Sequence, residues 1–226
     1  MEELLKNIQI KVNEKTYLKN PESSDLGRRI VENSISLINE IGFEAFTFKK
    51  LGGLIKSNES SVYRYFENKH KLLLYLASWY WAWIEYHIVI KTYSMSDPIE
   101  KLKQIILLIT RTVESDSNFS HIDEIKLNKI VINEYSKSFL TKEVDKDNKE
   151  GYFSIYKRLI TRVKDAINGV DSEYEFATTL ASTIVEGSLH QHFLREHFPT
   201  ITDCNDKIEP TNFYTNLVFN LLNKNI

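Results

Sequence analysis

The stretch from Leu72 to Ile90, LLLYLASWYWAWIEYHIVI, is the feature that most constrains this chain. It is nineteen residues long with one acid, Glu85, and that length would suffice to span a bilayer. Two features oppose insertion. Trp79, Trp81 and Trp83 sit mid-segment, whereas membrane helices carry Trp at the two interfaces. Glu85 would also lie in hydrocarbon, at a cost of about 3 kcal/mol. The expectation is a helix buried on several sides within a globular protein that has no membrane partner.

Composition agrees. Of 226 residues, 42% are hydrophobic and 12% aromatic, too many for a disordered polar chain. Only 7 Gly and 4 Pro disfavour a turn-dense all-β architecture. Cys204 stands alone, so it forms no internal disulfide and builds no thiolate cage, and a cytoplasmic location is expected. The start, Met1 to Lys6, is acidic and lacks the apolar run of a signal peptide. With 29 Lys+Arg against 31 Asp+Glu the net charge is −2. That excludes a uniformly basic protein but allows a local basic face.

Along the chain, Ile8, Ile10 and Val12 alternate with polar residues, and Lys15 to Leu18 could return as a second strand. Residues 1–23 therefore read as an arm with a short β-hairpin. Beyond them the pattern is helical throughout. Ile30, Ile35, Leu37, Ile38 and Ile41 form one stripe, stopped by Gly42. Short helices are expected from Thr47 to about Ile55 and from Glu59 to about Tyr65, then a long one over 69–92. Asp97-Pro98-Ile99-Glu100 reads as a helix start. Ser120 is expected to cap the next helix, and another should cover 146–168 and end at Gly169. Ser172 to Glu175 reads as a capping box for a helix reaching about His197. The last helix should span about Pro210 to Asn223. The class is all-α, with roughly nine helices.

The segment Phe46 to Phe66, FTFKKLGGLIKSNESSVYRYF, carries the functional signal. Two short helices are joined by Lys56-Ser57-Asn58, the spacing of a helix-turn-helix. The second is polar on one side, with Glu59, Ser60, Ser61 and Arg64, while Val62 and Phe66 face inward. Small residues and hydrogen-bonding side chains are what a helix entering a major groove needs. Between Ala45 and Lys71 six bases face two acids. From Leu73 onward 17 bases meet 21 acids. A basic head on an acidic body is the charge pattern of a DNA reader. The competing reading is a helical pair in an ordinary bundle, with Tyr63, Tyr65 and Phe66 as core.

Over Asp25 to Leu76 the chain resembles the TetR/AcrR family of bacterial transcriptional regulators. The residues that carry the resemblance are Ile41-Gly42-Phe43-Glu44-Ala45-Phe46-Thr47, then Leu51, then Ser61-Val62-Tyr63-Arg64-Tyr65-Phe66, then Asn68-Lys69 and a leucine run. The resemblance implies a three-helix DNA-binding domain at 24–70 and a helical ligand-binding and dimerisation domain at 71–226. It also implies a homodimer on a double-stranded DNA operator, a small-molecule effector, repressor action, and neither catalysis nor a cofactor. By the same resemblance Thr47 is a phosphate-contacting N-cap. Glu59, Ser60, Ser61, Tyr63, Arg64 and Tyr65 lie at DNA-reading positions, and Lys69 meets a phosphate at a helix start. Lys49, one of the local bases, is a further DNA-binding candidate. The chain departs from the pattern at Lys56, where the family has Gly, at Gly52 and Gly53 within a helix, and at Glu59. These departures motivate the alternative, a helical ligand-binding or scaffold protein that has lost DNA binding.

In the second domain Trp79, Trp83, Tyr86, His87 and Tyr156 are candidates to line an apolar ligand cavity. Leu180, Ile184, Gly187, Gln191 and Leu194 form one stripe, and Phe213, Leu217 and Leu221 another. In the family these two helices make the dimer interface. The competing reading is packing within one chain. Glu186, His190, His192, Glu196 and His197 share a helix, but no second ligand cluster supports a metal site. No P-loop, nucleophile elbow or dinucleotide fingerprint occurs.

Overall fold

The computed structural model describes residues 10–115, 119 and 121–223. Every regular element among them is helical. The helices are α1 (Asp25–Ala45), α2 (Phe48–Leu54), α3 (Glu59–Tyr63), α4 (Lys69–Thr92), α5 (Pro98–Thr110), α6 (Glu124–Glu134), α7 (Ser136–Phe139), α8 (Val144–Lys149), α9 (Ser154–Val170), α10 (Ala177–His197) and α11 (Pro210–Leu221). Short 3-10 turns occupy Glu14–Thr16, Pro21–Ser23 and Pro199–Ile201. The chain divides into two compact units, residues 1–82 with 113–155, and residues 83–112 with 156–226.

In the first unit, α1 starts where the Ser24 side chain accepts from the Gly27 amide, satisfying a donor the helix leaves open. It buries Ile30, Val31, Ile35 and Ile38 and packs against α6. Gly42, at φ 76°, breaks the run, a conformation that glycine reaches without a Cβ clash. From α6, the Glu134 carboxylate accepts from the Phe43 amide at 3.0 Å. Lys137 bridges Glu134 and Glu44, at 2.6 and 3.2 Å. The stretch of α4 from Leu72 to Ala82 is buried throughout. It packs Trp79 edge-on to Phe119 at 5.4 Å and Trp81 on Tyr135 at 5.4 Å. Tyr80 accepts from Asn128 at 2.8 Å. No helix among the described residues is long and apolar enough to cross a membrane.

In the second unit, α5 packs on α10 and α11, and α10 packs on α11. Asp97 caps α5 by accepting from the Ile99 amide, with Pro98 in the first turn. Gly187 of α10 lies against Tyr214 of α11, and a methyl group there would collide with the phenol oxygen. Cys204 is buried and free.

Several elements differ from the sequence pattern. Lys15 to Leu18 is not a return strand. Asn13 caps a 3-10 turn there instead, and its amide also donates to the Gly151 carbonyl at 2.9 Å. Of the other limb, residues 10–12 form no strand, and 8 and 9 lie outside the described residues. Ser120 lies outside them as well, and the cap of α6 is Asp123, which accepts from Lys126 N. The helix expected over 146–168 is two helices, because Gly151 turns the chain at φ 83°. Gly169 does not end α9, which runs on to Val170. The capping box at Ser172 to Glu175 does not form. Asp171 accepts from the Glu173 amide, and α10 begins only at Ala177, without a side-chain cap.

Candidate functional site

The turn between α2 and α3 is held by backbone chemistry. Lys56 takes φ 53°, the left-handed conformation that glycine adopts more readily. Ser57 N donates to Gly52 O at 2.8 Å and Lys56 N to Gly53 O at 3.3 Å, the paired bonds of a Schellman end. Arg29 of α1 donates to the Ile55 carbonyl at 2.5 Å and satisfies a further orphan acceptor. Gly52 is required by contact. A Cβ there would lie 3.0 Å from Ser57 O and 3.1 Å from Glu59 N. At Gly53 a Cβ would meet nothing within 4 Å, so packing gives no reason for glycine there.

This turn presents α3 with Val62 buried beneath it and Ser60, Tyr63 and Arg64 exposed. Tyr63 leans edge-on against Phe48 of α2, centroids 4.9 Å apart, and keeps 47% of its surface. Glu59 and Ser61 are half-buried, and Lys49 is exposed. Thr47 caps α2 by accepting from Lys50 N at 3.2 Å, which leaves its hydroxyl proton available to donate.

Two residues expected at this face are engaged within the protein. Tyr65 is buried, and its hydroxyl shares a hydrogen bond with Ser24 Oγ at 2.7 Å. Its carbonyl accepts from Leu18 N at 2.7 Å. Lys69 donates to the carbonyls of Phe43 and Glu44, at 3.1 and 3.2 Å. It also lies over the Phe43 ring at 4.8 Å. That leaves one of its three N–H donors for another acceptor.

None of the candidate ligand residues is among those that line the 510 Å³ cavity described below. Trp79 belongs to the first unit and is buried against Phe119. Trp83 and Tyr86 both pack against His87, at 4.8 and 5.3 Å. Tyr156 donates to Glu186 at 2.5 Å. Burial holds the Glu186 carboxyl above its ordinary range, against the opposing effect of that hydrogen bond.

The second unit does contain a cavity of about 510 Å³, within the range of small-molecule sites. It lies among the end of α4, the start of α5 and α9. Its walls include Ile88, Pro98, Lys101, Ile105, Arg158 and Arg162. Behind the arginines sits Glu85, buried, with its oxygens 2.6–2.8 Å from Arg158 Nε and Nη2. Arg162 reaches the same carboxylate from Nη2 at 3.0 Å. Burial would raise the Glu85 pKa, but the two guanidinium groups outweigh it and hold the carboxyl below its usual value. Sequence reasoning passed over this trio. The available signal was two arginines one helical turn apart and a single acid in an apolar run.

Of the interface candidates, Leu180, Ile184 and Leu194 are buried within the second unit, and Gln191 accepts from Thr202 at 2.7 Å. Gly187 faces Tyr214. Phe213 and Leu221 are exposed, and Leu217 is half-buried. His192 is buried against the Thr110 carbonyl at 2.9 Å. Among the described residues no three His, Cys, Asp or Glu side chains group to hold a metal ion.

No protein-family model and no curated protein matches the chain. Solved structures do. AibR in complex with isovaleryl coenzyme A and operator DNA is 17% identical, covers 88% of this chain and 100% of its own, and has a TM-score of 0.57. A transcriptional regulator from Saccharomonospora viridis in complex with choline is 15% identical, with coverage of 90% and 98% and a TM-score of 0.60. PfmR from Thermus thermophilus, a TetR-family transcriptional regulator, is 14% identical, with coverage of 87% and 98% and a TM-score of 0.55. The chain has the fold of the TetR-family transcriptional regulators.

Proposed function

We infer that this protein is a ligand-responsive, DNA-binding transcriptional regulator. The observation that carries the reading is the α2–turn–α3 geometry. A buried Val62 and a Schellman turn present Ser60, Tyr63 and Arg64 as an exposed set beside the cations Lys49 and Lys56. Exposed small and hydrogen-bonding residues on a short rigid helix suit the edges of bases, and flanking cations suit phosphates. The fold likeness supports it, since AibR is seen with operator DNA and isovaleryl coenzyme A, and the Saccharomonospora protein with choline. Thr47, Lys49, Ser60, Tyr63 and Arg64 are the contacts proposed first. Glu59, Ser61 and Lys69 are second. Tyr65 acts by holding α3 to Ser24.

In this reading residues 24–70 read DNA, residues 71–226 bind the effector and dimerise, and the protein is a cytoplasmic repressor. Two copies joined through α10 and α11 would read two half-sites of an operator. The effector would prefer one dimer geometry and shift the population away from the DNA-competent one. The test is fluorescence anisotropy with fragments of the DNA upstream of the protein's own gene and its neighbours. A salt-dependent, sequence-selective complex is expected. No selective binding to any fragment would leave a helical ligand-binding or scaffold protein as the better description.

A further inference from the structure

The cavity of the second unit has a charged end and an apolar body. α4 and α9 both run away from the Glu85–arginine contact, so Arg158 and Arg162 mark one end. Thr92, Met95, Pro98 and Gly169 mark the other. Thr92 lies seven residues beyond Glu85, about 10 Å along the helix axis. Ile88, Ile105 and Ala166 supply apolar surface between, which Met95 and Pro98 continue to the far end.

The charge at the arginine end exceeds what Glu85 needs. One buried carboxylate is matched by one bidentate guanidinium, and Arg158 supplies that at 2.6–2.8 Å. Arg162 is a second cation on the same oxygen. Lys101 lines the cavity and makes no ion pair among the described residues. The lining acid Asp165 is paired with Lys164, which lies outside the lining, at 3.5 Å. Three lining cations, Lys101, Arg158 and Arg162, thus face the lining Asp165 and the buried Glu85. Both arginines contact Glu85 through Nε and Nη2, so their Nη1 groups retain donors for a further acceptor. Holding each fork against a buried carboxylate fixes the guanidinium planes before any ligand arrives, which lowers the ordering cost of binding.

We propose that this cavity binds a small amphipathic organic anion, with its carboxylate or phosphoryl group on Arg158 and Arg162 and its apolar chain along Ile88, Ile105 and Pro98. Glu85 is a positioning residue that sets the two guanidinium groups. This rests on the reading that the protein answers to a small molecule, and it names the chemical class of that molecule.

Calorimetric titration of the full chain, with no DNA present, tests it with four probes of one chain length: octanoate, octyl phosphate, octanol and octylamine. At least one of the anions should bind saturably and about tenfold more tightly than octanol, with octylamine weakest. Octanoate binding alone identifies a carboxylate site, and octyl phosphate alone a phosphoryl site. Arg158→Gln should weaken the anion about tenfold. Because that change also strips a partner from buried Glu85, Ala166→Phe is the companion variant. It fills the cavity without touching the ion pair and should abolish binding while the circular dichroism spectrum is unchanged. The proposal is overturned if neither anion outbinds octanol, if octylamine binds equally well, or if folded Ala166→Phe binds as wild type. DNA binding without anion binding would remove the effector class alone. Anion binding without DNA binding would remove the regulator reading and leave the site.

Discussion

The hydroxyl of Tyr65 lies 2.7 Å from Ser24 Oγ, and the same Ser24 oxygen accepts from the Gly27 amide at 3.2 Å. The second residue beyond α3 is thereby fastened to the first turn of α1. An aromatic in the middle of a DNA-reading motif is here a structural tie. Tyr65→Phe should lower stability by about 1 kcal/mol, the usual net worth of one such bond, and leave DNA affinity within twofold in urea-melt and anisotropy measurements. A tenfold loss of affinity at unchanged stability would put the hydroxyl on the DNA.

The two adjacent glycines of α2 should respond oppositely to the same change. Gly52→Ala places a methyl 3.0 Å from a backbone oxygen, which an overpacked site resists by about 1–3 kcal/mol. Gly53→Ala enters open space and should stabilise by up to about 1 kcal/mol through helix propensity. Thermal melts of the pair decide the matter, and equal effects of one sign would contradict the close approach of α2 and α3.

Tyr63→Ala should weaken operator binding by about tenfold or more while leaving the melting temperature nearly unchanged, since the ring is half-exposed. Lys69→Ala should weaken binding evenly across sequences and reduce the salt slope by about 1. It should also loosen the end of α1, whose carbonyls the lysine holds. Wild-type affinity in both variants at moderate salt would remove these residues from the interface.

Phe213 and Leu221 are exposed on one chain, and large apolar side chains in that position mark an interaction surface. The double change Phe213→Lys with Leu221→Lys should convert a dimer to a monomer in light scattering, with the helical spectrum kept. A wild-type protein already monomeric at micromolar concentration would refute the proposed interface.

His192 gives a pH dependence of definite sign. Burial lowers its pKa below the ordinary value, against the smaller opposing effect of the Thr110 carbonyl. The unfolded chain therefore binds the proton more readily. The stability contribution is complete above about pH 6.5, the unperturbed value, and is lost as pH falls through the depressed one. Urea melts at pH 7.5 and 5.5 should show wild type losing more stability than His192→Gln, whose amide nitrogen can keep the bond to Thr110. Equal losses would mean that this histidine binds a proton equally well in the folded and the unfolded chain.

Strong periodicity and local caps made the helices legible. Asp97-Pro98, Thr47 and the apolar run of α4 announced three starts that the structure shows. The left-handed Lys56 and the tight Gly52 were implied by the family resemblance, which has glycine at the first position and a small residue at the second. The failures were tertiary. Gly151 broke a helix that composition alone would have continued. The side chain of Asn13 bonded to a carbonyl 138 residues away rather than turning a hairpin. Burial of the aromatic stripe of α4 was legible as well, Trp79 and Trp83 both being buried. The arginines that do line a cavity lie on α9, far along the chain from Glu85, and only folding brings them to one carboxylate.

Gly187 and Tyr214 have a mechanical consequence. A phenol ring seated in the notch left by a missing side chain admits one register of α11 on α10. Sliding α11 by a turn would carry the ring onto a neighbouring side chain of α10, with no second notch to receive it. The two helices must therefore travel as one rigid piece. Any motion transmitted through them will be a tilt or rotation of the pair, and slip between its members is excluded.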